Sequence, residues 1–236
     1  MATCKHCGKP LILSSGKCIY CGAAEKCSQE YNIQRVNNDT TVRAVDLGLP
    51  SGTKWATCNL GAKNPWEYGG YYAWGEIEEK NIYNRETYKW GACQPRWKYC
   101  NDVFCEVIDN KWVLETEDDA AHENWGGNWH IPTLEEYNEL LSNCHNEWST
   151  MNNVRGLKLV SKHNGKSIFF PAAGFRMDSS LINQDCGYYK SASLYGKNSE
   201  GAYVFLFIPE RSYQPSEIHI ISNLRELGQS IRPVFL

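Results

Sequence analysis

The sequence predicts an α+β fold, with two helices among mainly antiparallel strands, behind a small N-terminal zinc ribbon. Three observations carry this. Cys4, Cys7, Cys18 and Cys21 form a doubled CxxC-Gly pattern. Thr133 and Glu136, directly after Pro132, have the spacing of a helix-starting capping box. Beyond Cys144 the chain alternates short apolar runs with turn residues, and His163-Asn164-Gly165-Lys166 sits between two of them.

The cysteine module comes first. Glycine follows the second cysteine of each pair, at Gly8 and Gly22. Glycine tolerates the positive φ that turns backbone amides toward a thiolate. Two such knuckles supply four sulfurs in a tetrahedron, which suits structural Zn²⁺ with no open coordination position. The intervening residues read as a hairpin turning at Ser14-Ser15-Gly16. So short a module lacks a core of its own and needs a metal staple. Residues 1–24 are therefore expected to form the ribbon, 25–41 a polar linker, and 42–236 the main domain.

In the main domain, 42–49 and 53–58 read as paired strands around Pro50-Ser51-Gly52. A helix is expected over 117–124, where Glu117, Asp118 and Asp119 suit the positive end of the helix dipole. A second follows Thr133, with Leu134, Tyr137, Leu140, Leu141 and Cys144 on one stripe. Strands are expected at 157–160, 167–170, 188–193, 202–208, 217–221 and 230–235, the last pairing into a sheet.

The chain of 236 residues has a net charge of −3, which gives no basic face for nucleic acid over the main domain. No run approaches the roughly 20 apolar residues of a membrane span. The N-terminus lacks the apolar core of a secretion signal, so a cytoplasmic location is expected. The 11 cysteines, an odd number, argue against a disulfide scaffold. Cys93, Cys100 and Cys105 lack knuckle spacing and are expected as core thiols, as is the lone late cysteine, Cys186.

Several separated motifs then occur in order. Asp46 to Ala56 reads DLGLPSGTKWA, and Asp118-Asp119-Ala120-Ala121 precedes Asn124 to Thr133, NWGGNWHIPT. Phe170 to Arg176 reads FPAAGFR, followed by Gly187-Tyr188-Tyr189 and Ser230-Ile231-Arg232-Pro233-Val234. Over residues 42–236 this resembles the Fibrobacter succinogenes major paralogous domain, common in gut Bacteroidetes. The resemblance implies a C-type-lectin-like fold, distantly shared with the formylglycine-generating enzyme. It also implies kinship to the variable proteins of diversity-generating retroelements. Two positions depart from the resembled pattern, which has aromatics where Lys190 and Gln229 stand.

Catalysis is not expected. The formylglycine-generating relatives use a pair of late cysteines, and only Cys186 is present. His122, His130, His145, His163 and His219 show no metal-ligand spacing. The runner-up is a divergent or degenerate enzyme of that superfamily. The first expectation is recognition of a protein partner. The resemblance places Ala202, Phe205, Phe207, Ile218 and Ile220 inward. It places Val204, Leu206, Ile208, His219, Ile221, Ser222, Asn223, Leu224 and Leu227 at variable, ligand-binding positions. Each of those nine is a residue that adenine-directed mutagenesis of an AAC codon can produce. Val204, Leu206 and Ile208 are accordingly expected to form an exposed apolar patch.

Overall fold

The computed structural model describes residues 44–90, 98–101, 108–196, 199–210 and 215–236, together with the strand pairing of 13–14 and 17–18. The chain divides into two compact units, Met1–Thr41 and Val42–Leu236. In the first, β1 (Leu13–Ser14) pairs antiparallel with β2 (Lys17–Cys18), Leu13 opposite Cys18. This is the expected hairpin. Cys4, Cys7 and Cys21 lie outside the described residues, and Cys18 is described only as a strand residue.

The second unit is mixed α+β and mostly antiparallel. Its first hairpin, β3 (Ala44–Asp46) and β4 (Lys54–Ala56), pairs Val45 with Trp55. Asp46 Oδ1 accepts from the Gly48 amide at 2.8 Å and starts the connecting loop. The sheet is completed by β15 (Val234–Phe235), which lies between β4 and β5 (Trp129–His130). The end of the chain is therefore paired, as expected.

The helices follow from their caps. Asp119 is the N-cap of α1 (Ala120–Trp125), its carboxylate accepting from the amides of Ala121 and His122. The same side chain accepts from the Ile131 amide at 2.8 Å, tying the helix to β5. The expected helix over 117–124 thus begins later, because Thr116–Asp118 forms a 3₁₀ turn and Asp119 leaves helical geometry to cap. In α2 (Leu134–Asn143) both halves of the Thr133–Glu136 capping box are made. Its apolar stripe buries Tyr137 and Leu140 completely.

A meander follows α2: β6 (Cys144–Met151), β7 (Val154–Ser161) and β8 (Ser167–Pro171). The Asn164-Gly165 hairpin joins β7 to β8 as predicted. β6 was not among the expected strands. Its segment CHNEWSTM is polar with one exposed face, and its turn is Asn152-Asn153, both at positive φ. Asparagine tolerates that conformation, which suits a tight hairpin.

Two further sheets complete the unit. One orders β10 (Ser180–Ile182), β9 (Phe175–Met177) and β14 (Gly228–Gln229). The other orders β11 (Gly187–Leu194), β12 (Gly201–Ile208) and β13 (Glu217–Leu224), which leaves β13 at an edge. The main core gathers Trp55, Tyr137, Leu157, Leu159, Phe170, Tyr189, Phe205 and Phe207. Phe207 lies across Gly187, where a Cβ would sit 1.9 Å from the ring, so only glycine fits there. Arg232, fully buried, ties four segments together. Its Nε donates to Asn59 Oδ1, Nη1 to the Ala56 and Thr57 carbonyls, and Nη2 to the Phe169 carbonyl at 2.7 Å.

Cysteine chemistry differs from expectation at one described position. Cys58, Cys144 and Cys186 are buried free thiols. Cys100 is buried but disulfide-bonded, a correction to its reading as a core thiol. Its partner lies outside the described side chains, and Cys93 and Cys105 lie outside the described residues. Disulfides persist in oxidising surroundings, so this bond lends no support to the expected cytoplasmic location.

Candidate functional site

The resemblance assigned ligand positions to β12, β13 and the turn after them. Alternation along β12 sends Phe205 and Phe207 into the main core and Val204, Leu206 and Ile208 to the opposite face, as the register required. That opposite face is not solvent. Val204 is 1% and Leu206 6% exposed. They pack with Cys186 and Tyr188 in a second, smaller core, onto which Phe175 of β9 closes with its ring 4.8 Å from that of Tyr188. Leu227, at 5% exposure, is also inside, because it leads directly into β14, which pairs with β9. The expected exposed patch of Val204, Leu206 and Ile208 is therefore corrected, and so is exposure of Leu227. A covering layer of protein takes the place of a partner.

The remaining positions lie outward. His219, Ser222 and Leu224 are exposed, and Ile208, Ile221 and Asn223 are half-buried. All but Ile208 lie on the edge strand β13. His219 Nε2 meets Glu217 Oε2 at 2.7 Å, which holds the ring along the strand. Leu224 keeps 46% of its surface in water.

The two departures from the resembled pattern touch each other. Lys190 is 1% exposed, and its Nζ donates to Gln229 Oε1 at 3.1 Å. Gln229 is itself fully buried, and its Nε2 has no partner. A Lys–Gln hydrogen bond thus replaces apolar rings in this part of the interior. Burial pulls the Lys190 amine down to about 7, against the opposing pull of Glu76 and Glu226. Sequence reading treated these positions as surface; the charged side chain hid their burial.

Next to Leu224 the chain places a second buried cation. Arg225 is 2% exposed. Its Nε donates to Tyr88 Oη, and its Nη1 to the carbonyls of Tyr99 and Ser199. The guanidinium lies 4.6 Å from the Trp74 ring centroid and 5.4 Å from that of Trp90. Nη2 is covered and has no hydrogen-bond partner. Arg225 belongs to the lining of a cavity of about 270 Å³ that also includes Tyr88, Trp90 and Leu224. Nothing in the sequence around Arg225 signalled this, since its aromatic neighbours come from distant segments.

One group of carboxylates among the described residues lies close enough to hold a cation: Glu115, Glu117 and Asp118. Lys98 Nζ occupies its centre, 2.6 Å from Glu115 and 2.9 Å from Glu117, with Asp118 also bonded. Burial opposes the ammonium charge there, and the three carboxylates outweigh it, holding Lys98 above its usual range. Lys89 adds a further contact to Asp118 at 2.7 Å. The arrangement is a salt-bridge network that pins the start of α1.

The described histidines do not converge. His130 bonds Glu136 at 3.0 Å and braces the capping box, while His163 bonds Asn143. Cys186 Sγ lies 3.4 Å from Asp185 Oδ1. Among the described residues no helix is long and apolar enough to cross a membrane. Comparison with protein-family models, with curated proteins and with solved structures yields no match to this chain.

Proposed function

We propose that this chain is a non-enzymatic recognition protein. Its main domain has a C-type-lectin-like fold that binds a protein partner through β13, and its N-terminal module is a ribbon holding one structural Zn²⁺ on Cys4, Cys7, Cys18 and Cys21. The observation that carries the binding reading is the edge position of β13. An edge strand offers unpaired backbone groups to an incoming chain, and peptide recognition by strand addition draws affinity from those groups and specificity from alternate side chains. Here the alternating side chains are half-buried Ile221 and Asn223 on one side and exposed Ser222 and Leu224 on the other.

The test is selection from a displayed random-peptide library on the immobilised chain, with Ile221→Asp/Leu224→Asp as the counter-target. Peptides held by the unchanged chain and lost by the double variant, at unchanged melting temperature, support the reading. Peptides that bind both equally well overturn it. For the ribbon, metal analysis of protein purified without chelator should find one zinc per chain, and Cys18→Ser should release it.

A further inference from the structure

The cavity beside Arg225 has an unbalanced floor. Arg85 and Glu200, both on the lining, face each other at 3.8 Å and cancel in charge. That leaves Arg225 and half-buried Glu226, which have no ion-pair partner within 4.0 Å among the described residues. A buried guanidinium without a counter-ion is costly unless something supplies one. Arg232 shows what a purely structural buried arginine looks like in this chain: each of its nitrogens donates to an acceptor. Other covered polar atoms also lack partners, at Trp55, Asn101, Trp148 and Gln229. Arg225 differs from them in carrying a full charge and in lining a cavity.

We propose that this cavity binds a small zwitterion, an α-amino acid, with its carboxylate on Arg225 Nη2 and its ammonium toward Glu226. The donor arrangement narrows the choice. Nε and Nη1 are already engaged, so only Nη2 is free and the two-pronged grip used for phosphate cannot form. A bare dianion is further disfavoured by Glu226 and Glu200 on the walls. A ligand carrying both signs meets both charges. Its apolar part would lie against Tyr88, Trp90 and Leu224. The volume of about 270 Å³ falls just below the usual range for drug-sized ligands, which suits something smaller. Exposed Arg85 and Leu224 can rotate aside to admit it.

The experiment titrates the full chain with glycine, L-leucine and L-phenylalanine, followed by calorimetry and by tryptophan fluorescence, to which Trp74 and Trp90 beside Arg225 contribute. Two comparison ligands dissect the best binder. Its methyl ester lacks the carboxylate, and the corresponding carboxylic acid without the amine lacks the ammonium. At least one amino acid should saturate, with each comparison ligand about 10-fold weaker or more, the loss expected for one charge-assisted hydrogen bond. In Glu226→Gln the preference for the amino acid over its deaminated analogue should disappear. The proposal is overturned if no amino acid saturates below about 10 mM, a range that still detects binding weaker than 4 kcal/mol. It is equally overturned if the ester binds as tightly as the acid, or if Glu226→Gln leaves the preference intact. Neither Arg225 nor Glu226 lies on β13, so the peptide selection above stands or falls separately.

Discussion

Arg232 and Arg225 are both buried and both packed on aromatic rings, yet their surroundings differ in completeness. Arg232 lies 4.7 Å from the Phe170 ring centroid and donates to an asparagine oxygen and three backbone carbonyls. It belongs to the Ser230–Val234 motif, and its partners come from the first strand region and from β8. Arg225 sits among four aromatic rings but leaves Nη2 without an acceptor, at the wall of a cavity. The first arrangement is that of a structural clamp, in which every donor is used up by the fold. The second retains hydrogen-bonding capacity that the fold itself does not use. Buried polar groups are normally satisfied, so an incomplete one singles out a place where the chain is adapted to something besides its own stability.

Substituting each arginine by methionine tests that contrast. Arg232→Met strands Asn59 Oδ1 and the Phe169 carbonyl in the interior, so a loss on the order of 5 kcal/mol is expected in urea denaturation. Arg225→Met removes an orphaned donor together with the charge, and an apolar replacement of a poorly compensated buried ion is far less damaging. It should cost roughly 2 kcal/mol less than its counterpart. Equal losses would erase the distinction between clamp and open site.

The second core under β12 extends the comparison to a position expected to face water. Leu206→Asp places a carboxylate among Tyr188, Val204 and Phe175 with no cation to meet it. A loss of about 3–5 kcal/mol follows. A change within about 0.5 kcal/mol, the range of an ordinary surface site, would return Leu206 to the outside.

Lys190 gives the smallest expected effect and the clearest pH signature. Its folded value of about 7 lies below the unfolded lysine value of about 10.4. Between those two values the unfolded chain binds the extra proton, so stability contributed by this site rises with pH from about 7 to about 10. Below pH 7 the amine is charged in both states and the burial penalty is complete. Lys190→Met should therefore stabilise the domain at neutral pH by on the order of 2 kcal/mol and remove that rise. Denaturation midpoints of both proteins at pH 6, 8 and 9.5 decide it: parallel curves would mean that the Lys190 amine is not depressed.

The legible parts of this structure were those written in local chemistry. The Thr133–Glu136 box, the Asn164-Gly165 turn and the Leu13–Cys18 hairpin each depend on a few adjacent residues, and each is present. The in-out alternation of β12 was also legible, since Phe205 and Phe207 do face the main core. What covers the other face was not, because Phe175 reaches it through tertiary packing alone. β6 was missed for a related reason: an edge strand with one wet face carries a weak apolar signal. Lys190 and Arg225 were hidden by their residue types, since charge ordinarily means surface. The cavity at Arg225 draws its walls from three separated stretches, 85–90, Glu200 and 224–226, which no local pattern connects.

The sheet of β3, β4, β15 and β5 has a consequence in time. Arg232 bonds a carbonyl 176 residues earlier, at Ala56, and β15 then slots between β4 and β5. Contacts so distant in sequence are slow to form, because a long loop must close before any of them stabilises the chain. During synthesis β3 and β4 emerge early and wait with an open edge until Val234 and Phe235 have left the ribosome. A nascent chain halted before residue 232 would hold Trp55 and Phe170 without their final partners. Protection of this domain from proteolysis on the ribosome should therefore appear abruptly at the last few residues, rather than growing with length.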